Sequence, residues 1–184
     1  ILKRLIYCST MSIMAGSRKH TFQTTAKNYF IYSRNPMKAE KLQVFIDSVT
    51  NFFKQINTAD AQVDTPYINT NEMPIAYDFS GIINITGPLE GSVYVSSETP
   101  MLRNILQKIG EPDTSINLLK DLVGEIANTV SGNARREFGA EFIISPPIIV
   151  DGIPSSTYLP KDKRSYIIPV SWDKYKTIIG ICLN

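Results

Sequence analysis

The residues best suited to act on another molecule are Glu125 and Asn128, within DTSINLLKDLVGEIANTVSGNARREFG, residues 113–139. A carboxylate attracts a Lys or Arg from a partner. A carboxamide carries both a donor and an acceptor, so it can hold a water molecule in a chosen orientation. On a helix, at about 100° per residue, this stretch divides into two faces. Leu119, Leu122, Val123, Ile126, Ala127, Val130, Ala134 and Phe138 share one arc, and Asp121, Glu125, Asn128, Gly132, Arg135 and Arg136 share the other. Residues three and four apart are neighbours on a helix surface, which sets Asp121 beside Glu125 and Glu125 beside Asn128. Gly132, one turn on, leaves room for a partner's backbone. Thr114, Ser115 or Asn117 can cap the start, and Gly139 is placed to end the helix in a left-handed turn. The bland account is an ordinary solvated face; a Glu and an Asn three apart are common by chance, so spacing alone favours it.

Histidine and cysteine usage narrows the chemistry. The single His is His20, and the two Cys are Cys8 and Cys182. From Met37 onward there is no His and one Cys, which leaves no means for Ser–His–Asp or Cys–His catalysis, for His/Cys zinc sites or for an internal disulfide. Cys182, in the apolar run 177–183, reads as a buried packing residue, and a reducing cytoplasm fits this usage. No apolar run is long enough to span a bilayer. The net charge of +2 hides an asymmetry: residues 1–36 carry +6 with no acid, residues 37–184 carry −4. Residues 1–36 read as a basic leader outside the natural domain, or else as a targeting or nucleic-acid arm. Residues 37–184 read as one domain, with no role in nucleic-acid binding assigned.

Other elements must hold the polar face in place. Leu42, Phe45, Ile46, Val49, Phe52, Phe53 and Ile56 recur at helical spacing, with a break over 57–60. Residues 62–69 predict a strand interrupted by Pro66, suited to a sheet edge. Residues 77–98, with Gly87-Pro88 and Glu90-Gly91 in the middle, predict a hairpin. Thr99-Pro100 opens a short helix with Met101, Leu102, Ile105, Leu106 and Ile109 inward. Residues 141–150 predict a strand broken by Pro146-Pro147, then a polar excursion over 151–164 and a closing hairpin around Asp173-Lys174. This order predicts an α+β fold with a largely antiparallel sheet and helices on one face. The halves are weakly alike: Asp47, four before Asn51, matches Asp121 before Glu125, as in a degenerate repeat.

The pattern Asp121-x3-Glu125-x2-Asn128 inside GEIANTVSGN, followed by SPP, resembles the CheC/CheX/FliY family of chemotaxis phosphatases. That family's motif is an Asp or Ser, a Glu and an Asn on a helix, with a Pro downstream. The segment SGIINITG…GSVYVSSE (80–98) is similar to the family's Gly-punctuated hairpin. Length, element order and the single motif are nearest to CheX. The family Pro lies further past the Asn than Pro146 and Pro147 do, leaving open which of the two corresponds. The resemblance implies hydrolysis of the aspartyl phosphate on a CheY-like response regulator. It implies Asn128 as the residue orienting water, Glu125 as the partner of the regulator's Lys, and Asp121 in support. Gly132, Arg135 and Arg136 are then candidate docking residues, and no cofactor is implied beyond Mg²⁺ on the regulator itself. A homodimer, through edge strands such as those near the C-terminus, is also implied. A noncatalytic module, as in flagellar switch components of this fold, is the alternative.

Overall fold

The aromatic stripe predicted around Phe45 folds as α1 (Ala39–Gln55), with Phe45, Val49, Phe52 and Phe53 buried. The computed structural model describes residues 37–56, 61–172 and 174–184. The basic leader, the break over 57–60 and Asp173 of the closing turn lie outside the described residues. Beyond α1 the chain forms β1 (Gln62–Val63), β2 (Tyr67–Thr70), β3 (Phe79–Thr86), β4 (Gly91–Ser97), α2 (Thr99–Lys108) and α3 (Ile116–Phe138). It closes with β5 (Ile143–Ile144), β6 (Ile148–Asp151), β7 (Arg164–Trp172) and β8 (Tyr175–Leu183).

Every strand pairing is antiparallel, along the order β1–β7–β8–β4–β3–β5, with β2 also on β7 and β6 also on β3. Pro66 and the Pro146-Pro147 pair fall in the gaps between the short strands at each edge, where no ladder hydrogen bond is lost. The C-terminal strands are not edges, contrary to the expectation for a dimer contact. β8 lies between β4 (Val95 opposite Ile179) and β7 (Ile168 opposite Ile179), and β7 is covered by β1 and β2. Among the described residues the sheet's edges belong to the short strands instead.

The weak repeat has a counterpart in this topology. α1, β1/β2 and the β3–β4 hairpin form one unit; α3, β5/β6 and the β7–β8 hairpin form the other. The inner strands β4 and β8 meet at the centre, and each unit's short strands border the other's hairpin. Where α3 has Asp121, Glu125 and Asn128, α1 has Asp47, Asn51 and Lys54. The second unit alone carries the Glu–Asn pair.

The helices cover one face, over Ile83, Val93, Val95, Ile168, Val170 and Ile179 among others. Phe45 of α1 meets Phe138 of α3 (ring centroids 5.6 Å apart), and Phe138 meets Phe142 (4.9 Å). The N-terminus of α2 is fixed from the sheet: the Thr99 N–H donates to the Asp78 carboxylate at 2.7 Å, and hydrogen bonding from the Thr99 side chain first, then from this N–H, holds the Asp78 carboxyl below the usual range.

The opposite face is not bare. Ile82, Tyr94, Ile167, Ile178 and Cys182 form a second, smaller core under Leu159. Residues 151–164, read from sequence as a polar excursion, thus supply a cover. Its anchors are the Ser92 hydroxyl donating to the Tyr158 carbonyl (2.6 Å) and the Asn71 amide donating to the Pro160 carbonyl (3.1 Å). The Asn71 carbonyl oxygen in turn accepts from the Ser165 hydroxyl (2.6 Å). Cys182 is buried there as expected.

Candidate functional site

The site helix begins where its caps predict. Ser115 is the N-cap, its hydroxyl accepting from the Leu118 N–H at 3.4 Å. At the other end Gly139 has φ +94° and ψ 179°. Its φ is positive, as glycine permits, but ψ is extended rather than left-handed as predicted, and the chain enters a turn in which the Phe142 N–H donates to the Gly139 carbonyl at 3.2 Å. Leu119, Leu122, Val123, Ile126, Ala127, Val130 and Ala134 are buried, which leaves the opposite arc facing outward.

What sets the height of that arc above the sheet is a contact the sequence reading missed. A Cβ on Gly81 of β3 would stand 2.6 Å from the Val123 carbonyl oxygen and 3.0 Å from the Gly124 Cα. The helix backbone therefore rests directly on the strand backbone. On Gly124 itself, a Cβ would lie 2.5 Å from the Ile149 Cδ1 and 3.4 Å from the Pro147 Cβ. Gly124 is thus held between β3 and β6, and Glu125 is the next residue. Pro147 lies against the helix beside the pair, whereas Pro146 is exposed and its carbonyl accepts from the Ser145 hydroxyl. The signal for this seat was two glycines in SGII and VGEI, but only the topology brings them together.

Because backbone opposes backbone at Gly81, neither side can yield cheaply. Gly81→Ala is expected to lower unfolding free energy by about 1–3 kcal/mol, the usual scale of overpacking. The check is the urea midpoint, which should fall with an unchanged slope; a midpoint equal to that of the unsubstituted protein contradicts the close seat.

Asp121 is exposed, and Glu125, Asn128 and Gly132 are half-buried along one face of α3. The Glu125 carboxylate is electrostatically uncomfortable. Its Oε2 is enclosed and has no hydrogen-bond partner among the described residues. Burial, and then the neighbouring Asp121, push its carboxyl above the ordinary glutamate range. The adjacent Lys120 offers no relief, being paired with Asp151 at 2.6 Å with its ammonium 5.5 Å from the Phe79 ring centre. Buried acceptors are normally satisfied; this carboxylate oxygen is an exception among the described residues.

Among the described residues Gly132 has open space: a Cβ there would meet nothing within 4 Å. In a helix interior glycine is worse than alanine by about 1 kcal/mol, and no contact among the described residues accounts for it. Arg135 and Arg136 are exposed in the last turn, where the helix dipole already favours cations; that role explains them without a ligand. Among the described residues no group of three or more His, Cys, Asp and Glu side chains could hold a metal ion. No described helix is long and apolar enough to cross a membrane.

A model described as Chemotaxis phosphatase CheX matches residues 79–171, from the first residue of β3 almost to the end of β7. No curated protein matches the chain significantly. Among solved structures, a CheC-like superfamily protein from Shewanella sp. PV-4 is 28% identical, with a TM-score of 0.68 over 80% of this chain and 99% of that one. The chemotaxis protein CheX of Vibrio vulnificus is 27% identical, with a TM-score of 0.67 over 79% and 100%. Borrelia burgdorferi CheX, solved as a CheX–CheY–BeF3–Mg²⁺ complex, has the same fold at 18% identity, with a TM-score of 0.62 over 80% and 99%. The strands that seat the site helix, the helix itself and the proline strand beside it all fall inside the matched half of the sequence, and the chain belongs to the chemotaxis phosphatase CheX family.

Proposed function

We propose that this protein hydrolyses the aspartyl phosphate of a CheY-like response regulator, using Glu125 and Asn128 on the outer face of α3. The observation that carries this reading is the unpartnered Glu125 carboxylate oxygen held one helical turn from an outward carboxamide. An active-site Lys of the regulator would satisfy that oxygen and anchor the helix. The Borrelia relative's complex with CheY supports a partner of this kind.

An acyl phosphate needs little chemical help. Water attacks phosphorus in line, the phosphorus–oxygen bond to the aspartate breaks, and the carboxylate leaves with the electron pair. Phosphoryl transfer of this sort depends on orientation and charge stabilisation rather than on a strong base. Asn128 supplies orientation, accepting from the attacking water and directing its lone pair at phosphorus. Asp121 stands one turn before Glu125, and its charge favours the arrival of a cation. Mg²⁺ belongs to the phosphorylated regulator. Residues 37–184 act as one unit in this reading, which assigns no role to residues 1–36, nucleic acid or membrane. A homodimer would form through the free edges at β1/β2 or β5/β6.

The test is the decay of a phosphorylated receiver domain with and without the protein, followed by release of inorganic phosphate. Decay several-fold faster at stoichiometric protein is expected. Unchanged decay, with binding of the receiver intact, would reduce the protein to a docking module.

A further inference from the structure

We infer that Gly132 is the point at which the main chain of the phosphorylated receiver lies against α3. This inference rests on the proposed function. Glycine in a helix interior usually answers to a close approach within the chain, to a positive φ, or to the helix end. Gly132 has none of these. The positive-φ glycines among the described residues are Gly87, Gly91, Gly110, Gly139 and Gly152. Helix α3 continues for six residues beyond Gly132, to Phe138. Its missing Cβ would touch nothing among the described residues, whereas at Gly81 and Gly124 on the same helix seat the space is already taken by this chain.

Position makes the gap informative. At about 100° per residue, Gly132 projects midway between Glu125 and Asn128 and one turn further along. It therefore lies near the centre line of the polar arc, about two turns (roughly 10 Å) beyond the residue whose oxygen lacks a donor. An asparagine is short. For Asn128 to reach a phosphate recessed in another protein, the helix backbone itself must come close to that protein's surface. Bare backbone at Gly132 permits this approach, the use of glycine wherever a main chain must come near a ligand. A methyl group there would hold the helix away from its partner and move the carboxamide off line, and misplacement of about 1 Å can cost roughly a hundredfold in rate. The occupant is thus a protein segment that brings a cation to Glu125 and a phosphorylated carboxylate to Asn128.

The test uses Gly132→Ala and Gly132→Leu, with melting temperature, binding of a beryllofluoride-loaded receiver and dephosphorylation measured on each. Gly132→Ala should melt about 2–4 °C higher than the unsubstituted protein, since alanine is the better helix former. Its binding should nevertheless weaken by about tenfold, the scale of an overpacked contact, and Gly132→Leu should weaken it further. A Gly132→Ala protein that binds and turns over normally overturns the inference. So does one that melts lower, because the glycine then serves this chain's own packing. Failure of the unsubstituted protein to speed decay, with binding intact, removes the catalytic reading alone, and graded loss of binding by the two variants still supports contact at Gly132. Absence of binding by the unsubstituted protein overturns both.

Discussion

With Asn128→Ala, a phosphorylated receiver is expected to lose its phosphate at nearly the rate it shows alone. If orientation of water is the main service the helix provides, removing the carboxamide should erase nearly all of that several-fold acceleration. Binding should change much less, because the Glu125 anchor is untouched. Stability should hold or rise slightly, since Asn128 is half-buried on the outward arc and alanine is the better helix former. The pattern to look for is a collapse of saturated turnover with a small change in receiver affinity. A variant that keeps the full acceleration removes Asn128 from the mechanism and leaves the Glu–Asn spacing as coincidence.

Glu125→Gln separates affinity from stability in the opposite way. Truncating one side of a desolvated charge pair across an interface typically costs about 2–5 kcal/mol of binding, so receiver affinity should fall by roughly thirtyfold or more. The free protein should become more stable at neutral pH. Glu125 has a raised carboxyl pKa from burial and from Asp121, so the folded state holds this proton more tightly than the unfolded chain. Stability from this group then declines as pH rises from the ordinary glutamate range through the raised one, and the penalty persists above it. Removing the charge should erase that decline. Urea midpoints at neutral and mildly acidic pH would show the gain at the first and its loss at the second. Identical pH profiles for the two proteins would mean that Glu125 is comfortable in the free state, and the argument for an awaited cation would fail.

The polar face of α3 was readable because helical periodicity is strong over many residues, and its apolar arc is the one the structure buries. The strands were readable as segments but not as a sheet. A period of two tells which side chains share a face and says nothing about partners, so the pairing of β4 with β8 was invisible. One clue went unused. TIIGICL in β8 is apolar on both faces, which marks a central strand rather than an edge, and its burial on both sides agrees. The second core was missed because Tyr158 and Leu159 sit among Ser, Thr, Pro, Lys and Asp, with no period to betray them. The Gly81–Gly124 seat was hidden for a related reason: a close approach between two distant glycines leaves no trace until the crossing of helix and strand is known.

The placement of β8 also bears on how the molecule comes into being. The strand at the middle of the sheet is made after every other described element, so a chain that lacks it leaves β4 and β7 with open flanks. Such unpaired flanks are sites for wrong partners. A chain released before Tyr175 is made should therefore be prone to cluster and to engage chaperones, even with its site helix fully synthesised.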